Sequence, residues 1–342
     1  MASKLINLIA LSTLAILASS FGSTNVNALS VSSNHHARSV AHQAFAAKKR
    51  AAASGRPKCK PRPSSSAAAP GSTGAPAQPA AQPAQPAPAP PAQGNPTPPP
   101  ASSGGKGLLA WGAGSRPDLL KNLKVGSVSA IYNWNPEPFP EAEAAGYEYI
   151  PNLWGERDVD FVRNNIKPGQ YAHILGFNEP DHGEQGNMDP GRAAQLYKEI
   201  MVPLHNGGTR VSSPAVSNGP NGLEWFKQFV QACGSLEACG VDFISAHCYA
   251  TDTAYVQKTF QDWHDTYGLN VWVTESAAMD FVTYQKTDVT KFASEMAAWA
   301  NSQPWIEKYS AFMVADNLGN VDPSNAIISG SNFNALGNIY YG

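Results

Sequence analysis

The sequence predicts an α/β fold, a short (β/α)8 TIM barrel preceded by a disordered Pro/Ala-rich tail. Two observations carry the prediction. All 26 acidic residues lie at or after position 106, and fifteen of the 28 prolines fall between Pro57 and Pro100, so the chain has two chemically different parts. Beyond position 106, apolar runs of strand length alternate with segments of helical period, the mark of βα units.

Taken in order, residues 1–28 read as a secretory signal peptide. Lys4 supplies the charged start, Leu5 to Leu17 the apolar run, and Val26-Asn27-Ala28 the small-residue cleavage pattern. That run is short for a membrane span and no other long apolar run follows, so no span is expected. Lys49-Arg50 resembles a dibasic processing site, which makes 29–50 a candidate pro-segment. Residues 51–105 form a Pro/Ala/Gln/Ser-rich linker with too little bulky apolar surface to offset its ordering entropy. Its basic cluster Arg56-Pro57-Lys58-Cys59-Lys60-Pro61-Arg62 reads as solvated linker, contact with an anionic wall polymer being the alternative. No Asn-x-Ser/Thr sequon occurs.

Residues 106–342 are the expected catalytic domain. Nine of the 24 Lys and Arg precede it, so it carries 15 − 26 = −11 and has no basic stripe for nucleic acid. A monomer is expected. Strands are expected at 108–111, 129–134, 147–154, 173–178, 209–216, 242–249, 270–274 and 309–315. Asp189-Pro190 caps one helix, with Ala193, Leu196, Tyr197, Ile200, Met201 and Leu204 on its apolar face and Gly207-Gly208 at its end. Asp252 starts a second, with Val256, Thr259, Phe260, Trp263 and Tyr267 in line, and Phe292, Met296 and Trp299 mark a third. An open doubly wound sheet is the alternative; the strand count favours the barrel.

Two strands end on carboxylates. The run His173-Ile174-Leu175 leads into Gly176-Phe177-Asn178-Glu179-Pro180-Asp181, and Pro180 cannot donate a ladder hydrogen bond, so the strand should stop at Glu179. Asn270-Val271-Trp272-Val273-Thr274-Glu275-Ser276 ends the same way on Glu275. Either Glu alone would read as an ordinary surface residue. Together, at the rim where a barrel keeps its chemistry, they suit glycoside hydrolysis, in which one carboxyl donates a proton and the other attacks. Trp111, Trp134, Trp154 and Tyr249 stand at other strand ends, where flat rings suit the apolar face of a sugar, with packing aromatics as the alternative. His247, two residues before Tyr249, should share its inward direction, a structural strand histidine being the alternative.

Other chemistries fit poorly. No H-E-x-x-H, P-loop, G-x-S-x-G or C-x-x-C spacing is present, and Gly112-Ala113-Gly114-Ser115-Arg116-Pro117 has Pro where a dinucleotide loop needs Gly. The five histidines of the domain are scattered, so no metal is expected, and the proposed chemistry needs no cofactor. Secretion makes cysteines disulfide candidates. Cys233 and Cys239, six positions apart, are the expected pair, with Cys248 a buried free thiol and Cys59 left in the tail.

Several motifs occur in a familiar order. They are Lys106-Gly107-Leu108-Leu109-Ala110-Trp111, Ile131-Tyr132-Asn133-Trp134-Asn135-Pro136, Tyr149-Ile150-Pro151-Asn152-Leu153-Trp154-Gly155, the Gly176-to-Asp181 stretch, Asp242-Phe243-Ile244-Ser245-Ala246-His247-Cys248-Tyr249 and the Trp272-to-Ser276 stretch. Together they resemble glycoside hydrolase family 128, the alkali-sensitive-linkage-protein-like fungal and plant glycosidases of clan A. The resemblance covers residues 106–342. It implies a short (β/α)8 barrel, retaining chemistry and endo-cleavage of β-1,3-glucan. By position it makes Glu179 the acid/base and Glu275 the nucleophile, puts Asn178 on the 2-hydroxyl of the cleaved sugar, lets Tyr249 steady the nucleophile and lines the cleft with Trp134 and Trp154. The chain departs from the pattern at Cys248, where the family tends to Trp, and at Phe312-Met313, where it tends to Trp-Phe. The expectation is a secreted retaining endo-β-1,3-glucanase whose partner is cell-wall β-glucan. The alternatives are a non-hydrolytic glucan-binding wall protein and a glycosidase for β-1,6-glucan or mannan.

Overall fold

The computed structural model describes residues 105–342. The signal, pro-segment and linker readings, and Cys59, lie outside the described residues except for Gly105. That residue already belongs to the folded unit, because Ser129 Oγ donates to its carbonyl at 2.9 Å and Lys308 Nζ at 3.2 Å.

Eight strands alternate with helices: β1 Gly107–Ala110, β2 Val128–Tyr132, β3 Glu148–Tyr149, β4 His173–Ile174, β5 Arg210–Val211, β6 Ile244–Ala250, β7 Val271–Ala278 and β8 Ile306–Tyr309. Six form one sheet in the order β3-β2-β1-β8-β7-β6, and β4 pairs with β5. All these pairings are parallel. Isolated parallel bridges Asn152↔Leu175 and Ser212↔Phe243 join the two pieces, and Trp111↔Val314 extends the contact of β1 with β8. Successive pairings thus run from β1 to β8 and back to β1, a barrel-like (β/α) arrangement. The last strand begins earlier than expected, at Ile306, and the stretch 310–315 continues it by one isolated bridge only.

The expected helices form, two of them where their predicted caps place them and the third behind Asp288, for which no cap was predicted. Asp189 accepts from Arg192 N at 2.9 Å, ahead of Pro190–Leu196. That helix continues through a π-helical stretch, Tyr197–Met201, into Val202–Asn206. Pro203 has no N–H to offer the carbonyl four residues back, a local reason for the wider turn. Asp252 caps Thr253–Tyr267, and Asp288 caps Val289–Ser302. A further helix, Gly222–Cys233, follows β5. Its last residue, Cys233, is disulfide-bonded to Cys239, and Cys248 is free and buried.

Two apolar layers result. Leu109, Ile131, Ala246, Cys248, Val271 and Val273 pack outward against the helices. Leu108, Ala110, Tyr132, Trp134, Phe243, Tyr249, Trp272 and Phe312 fill the interior. The N-terminal end of the strand ring is closed by charge rather than by apolar bulk. Glu307 accepts both guanidinium nitrogens of Arg210 at 2.9 and 3.1 Å, Asn270 Nδ2 at 2.6 Å and Trp272 Nε1 at 2.8 Å. His173 links Arg210 to Glu148 in the same network.

Candidate active site

The alternation of β7 would send Trp272 inward, Val273 outward, Thr274 inward and Glu275 outward. The pairing with β6 prevents this. Ala246 pairs with Val273 but His247 pairs with Glu275, so Thr274 is an extra residue on β7. This bulge re-aims the chain, as bulges near active sites do. Thr274 Oγ1 meets Ser245 Oγ at 2.8 Å, and Glu275 also turns into the interior, fully buried. β7 does not end at Glu275, as expected, but continues to Ala278.

Glu179 comes to the same place from the other side of the ring. Its N–H donates to Ala215 O at 2.7 Å, and its φ is +39°. Trp134, past the end of β2, has φ +55°. Left-handed backbone is unfavourable for residues with a Cβ, by about 1–3 kcal/mol where packing must hold it. Trp134 and Glu179 both adopt it at the carboxylate cluster.

The cluster is close and buried. His247 Nδ1 lies 3.1 Å from Glu179 Oε1, and its Nε2 lies 3.7 Å from Glu275 Oε1. One ligand atom from each of Glu179, His247 and Glu275 falls within 4.8 Å of the others. These three could offer atoms to a cation, although only one of the domain's five histidines is among them. The imidazole, however, turns one nitrogen to each carboxylate and so stands between them. Glu275 accepts Trp134 Nε1 at 2.7 Å on one oxygen and Tyr249 OH at 2.6 Å on the other. Two neutral donors thus hold the two carboxylate oxygens in a fixed orientation. Burial, with Glu275 and Glu179 adding to it, holds the Tyr249 phenol well above its usual range, so it remains a donor. Burial pulls the His247 imidazole down, but Glu275 and Glu179 outweigh burial and hold it above its ordinary value. The raised value favours an imidazole that holds a proton on Nδ1, within reach of Glu179 Oε1.

Asn178 is buried beside Glu179, with its Nδ2 3.5 Å from Gln185 Oε1. Trp154 is partly buried at the edge of the interior cluster, and the Arg157 guanidinium lies 4.0 Å over its ring. Trp111 stands apart. It packs in the outer layer, 6.1 Å from Phe139, and its Nε1 donates to Gly114 O at 2.8 Å. Trp225 likewise packs in its helix layer, stacked on Phe229.

Residues that were not predicted as site residues complete the surroundings, among them Phe312, noted above only as a departure from the family pattern. Tyr132 OH donates to Thr274 O at 2.8 Å, across the bulge, and its ring meets Trp134 edge-on at 5.0 Å. Phe312 packs on both Trp134 and Tyr249. Asp181 accepts Ser217 N at 3.0 Å and Ser217 Oγ at 2.6 Å, bracing the turn behind Glu179. Its place two residues after Glu179 was the available signal.

Residues 108–340 match the family model described as the glycosyl hydrolase catalytic core. Solved structures of family 128 share the architecture. A curdlan-specific exo-β-1,3-glucanase from Blastomyces gilchristii is 28% identical, with a TM-score of 0.54 over 69% of this chain and 97% of that one. The chain belongs to glycoside hydrolase family 128. An endo-β-1,3-glucanase from Amycolatopsis mediterranei, another family 128 member, is 26% identical, with a TM-score of 0.55 over 69% of this chain and 98% of that one. An oligosaccharide-binding protein from Trichoderma gamsii, at 23% identity and a TM-score of 0.56 over 70% and 93%, shares the family 128 fold. No curated protein matches the chain. Among the described residues no helix is long and apolar enough to cross a membrane.

Proposed function

We propose that this glycoside hydrolase is a secreted, retaining endo-β-1,3-glucanase that cleaves cell-wall β-glucan on a short (β/α)8 barrel. The observation that carries the reading is the buried carboxylate pair, whose facing atoms lie within 4.8 Å. Retaining glycosidases hold their carboxyl groups roughly 5 Å apart, whereas inverting ones leave about 6.5–9.5 Å for a water. The two sides of the pair are also chemically unequal. Glu275, oriented by hydrogen bonds from Trp134 and Tyr249, attacks the anomeric carbon and forms a glycosyl ester as the C–O bond to the leaving sugar breaks. Glu179 passes its proton to the leaving oxygen, then takes one from the water that opens the ester. His247, at 3.1 Å, is the neighbour that holds a proton beside Glu179. Asn178 meets the 2-hydroxyl of the cleaved sugar, and Trp154 and Trp134 line the cleft. The N-terminal segment is a leader followed by a spacer, and the protein works as a monomer.

The test is the configuration of the first product. Proton NMR of early hydrolysis should show β-anomeric reducing ends that mutarotate afterwards; α-anomers appearing first would overturn the double displacement. A second reading, exo-action, is favoured by the 28% identical exo-β-1,3-glucanase. A ladder of oligosaccharides supports endo-cleavage, and release of glucose alone supports the exo reading.

A further inference from the structure

Among the described residues, the exposed large apolar side chains are Leu223, Tyr255, Val282 and Tyr284. Their placement is not scattered. Leu223 lies in the first turn of the helix after β5, Tyr255 in the first turn of the helix after β6, and Val282 and Tyr284 in the connection leaving β7. All four therefore stand at the end of the strand ring where Glu179, His247 and Glu275 are delivered, on three consecutive βα connections.

The β7 connection shows the most construction. Its root is pinned, because Asn325 Oδ1 accepts Ala278 N at 2.9 Å. Asp280 Oδ1 then accepts Val282 N at 2.8 Å and Thr283 N at 2.9 Å, and its carbonyl accepts Tyr284 N at 2.8 Å. Lys286 Nζ reaches Asp322 at 3.5 Å. The inner side chain of this turn, Phe281, packs on Tyr249 at 5.1 Å, and Tyr249 OH donates to Glu275. The outer side chains point the other way, with Val282 88% and Tyr284 67% exposed. Tyr284 also has φ +53°, a backbone conformation that opposes any residue with a Cβ. A well-fastened turn thus presents an aromatic ring and a branched apolar side chain to solvent, at a strained position, directly behind the nucleophile's hydrogen-bond donor.

We propose that this turn is a docking rim for β-1,3-glucan chains beyond the sugars being cleaved, continuing across Tyr255 and Leu223. The assignment rests on the β-1,3-glucanase reading given above. An uncharged polysaccharide offers only C–H faces and hydroxyls to recognise. The run Phe281-Val282-Thr283-Tyr284-Gln285 carries no charge and supplies aromatic surface together with hydrogen-bonding side chains. Because the turn is held before any ligand arrives, ordering it on binding costs little. Its root in Tyr249 makes the rim continuous with the cleft.

The test uses the full chain in two forms. In the Glu275→Gln background, co-sedimentation with insoluble linear β-1,3-glucan should weaken about tenfold when Val282→Ser and Tyr284→Ala are added, the loss expected for a few aromatic and apolar anchors. Tyr284→Trp should restore binding. In the active chain, the same pair should lower the ratio of turnover on insoluble glucan to turnover on β-1,3-linked glucotriose by a similar factor. Both side chains are exposed, so the thermal midpoint should not move. Unchanged sedimentation, or an equal loss on polymer and trisaccharide, overturns the rim. A shift from dimer to monomer in the variant would instead make this face a contact between copies. A parent chain that neither binds nor cleaves β-1,3-glucan refutes the function reading, and the rim with it.

Discussion

Tyr249→Phe removes one oxygen and leaves its ring contacts in place. The hydroxyl donates to Glu275 at 2.6 Å, a charge-assisted hydrogen bond to a fully buried carboxylate. Such bonds are worth about 1.5–3 kcal/mol, and each 1.36 kcal/mol is tenfold in rate, so kcat/KM should fall between about tenfold and 150-fold. The ring should stay where it is. Its contacts to Phe281 at 5.1 Å and Phe312 at 5.6 Å do not involve the hydroxyl. The Tyr249 backbone is held separately, by Asn218, which accepts from its N–H and donates to its carbonyl, both at 3.0 Å. The assay is kcat/KM on a β-1,3-linked oligosaccharide, with urea unfolding alongside. A variant within about threefold of wild type would mean that Glu275 does not depend on this donor as an attacking group. A loss of activity matched by a loss of folded protein would also refute the argument.

Three further outcomes follow from other contacts. Trp134→Phe deletes the 2.7 Å indole donor to the other Glu275 oxygen and should likewise lower kcat by about tenfold or more, while glucotriose KM changes less. His247 has a raised folded-state pKa, so its proton is fully present below the unfolded value near 6.5 and is lost as pH rises through the raised value. Wild-type activity and His247's share of stability should both decline on that alkaline limb, and His247→Gln should abolish the limb while lowering kcat; an unchanged profile would remove His247 from proton transfer. Glu307→Gln should destabilise the fold by about 2–3 kcal/mol in urea, discounted from the fully buried case because Arg210 is partly exposed, with activity per folded molecule unchanged. Although burial opposes it, Arg210, Trp272 and Asn270 hold the Glu307 carboxyl below its ordinary value. That stabilisation is present above the unfolded carboxyl pKa and is lost as pH falls through the folded one, so the gap between the variants should narrow in acid.

The parts of this architecture legible in the sequence are those set by local chemistry. Asp189, Asp252 and Asp288 cap helices because a short acidic side chain can accept from N–H groups of the first turn, and the first two were evident from the letters alone. Glu179 stood out because an apolar run leads to it just before Pro180, but β4 itself spans only His173–Ile174 and reaches Asn178 through isolated bridges, not as a strand ending at Glu179. Cys233 and Cys239 were evident from spacing. What could not be read depends on neighbours distant in sequence. Strict alternation points Glu275 away from the interior, and only the register of β7 against β6, with Thr274 as the extra residue, turns it back. The positive φ of Trp134 is set by tertiary packing, because the residues that tolerate it, Asn133 and Asn135, flank the tryptophan while the tryptophan itself adopts it. Trp111 and Trp134 look alike as strand-end aromatics; one turns out to packing and the other in to Glu275, because strand parity decides the direction and the strand ends are not sharp in sequence. Two-residue β3, β4 and β5 could be recognised as apolar runs but not bounded, since most of each run pairs only through isolated bridges.

The central claim is that Glu275 attacks a β-1,3-glucan, and reducing-end release tests it most directly. The full chain and its Glu275→Gln variant would be assayed on linear β-1,3-glucan, with chitin, mannan and β-1,6-glucan alongside. The account predicts release from the β-1,3 polymer alone, and a loss of at least about a thousandfold in the variant, the scale at which a covalent nucleophile acts. Release from the variant at the wild-type rate, or no release by a folded wild-type chain that still binds glucan, would contradict it.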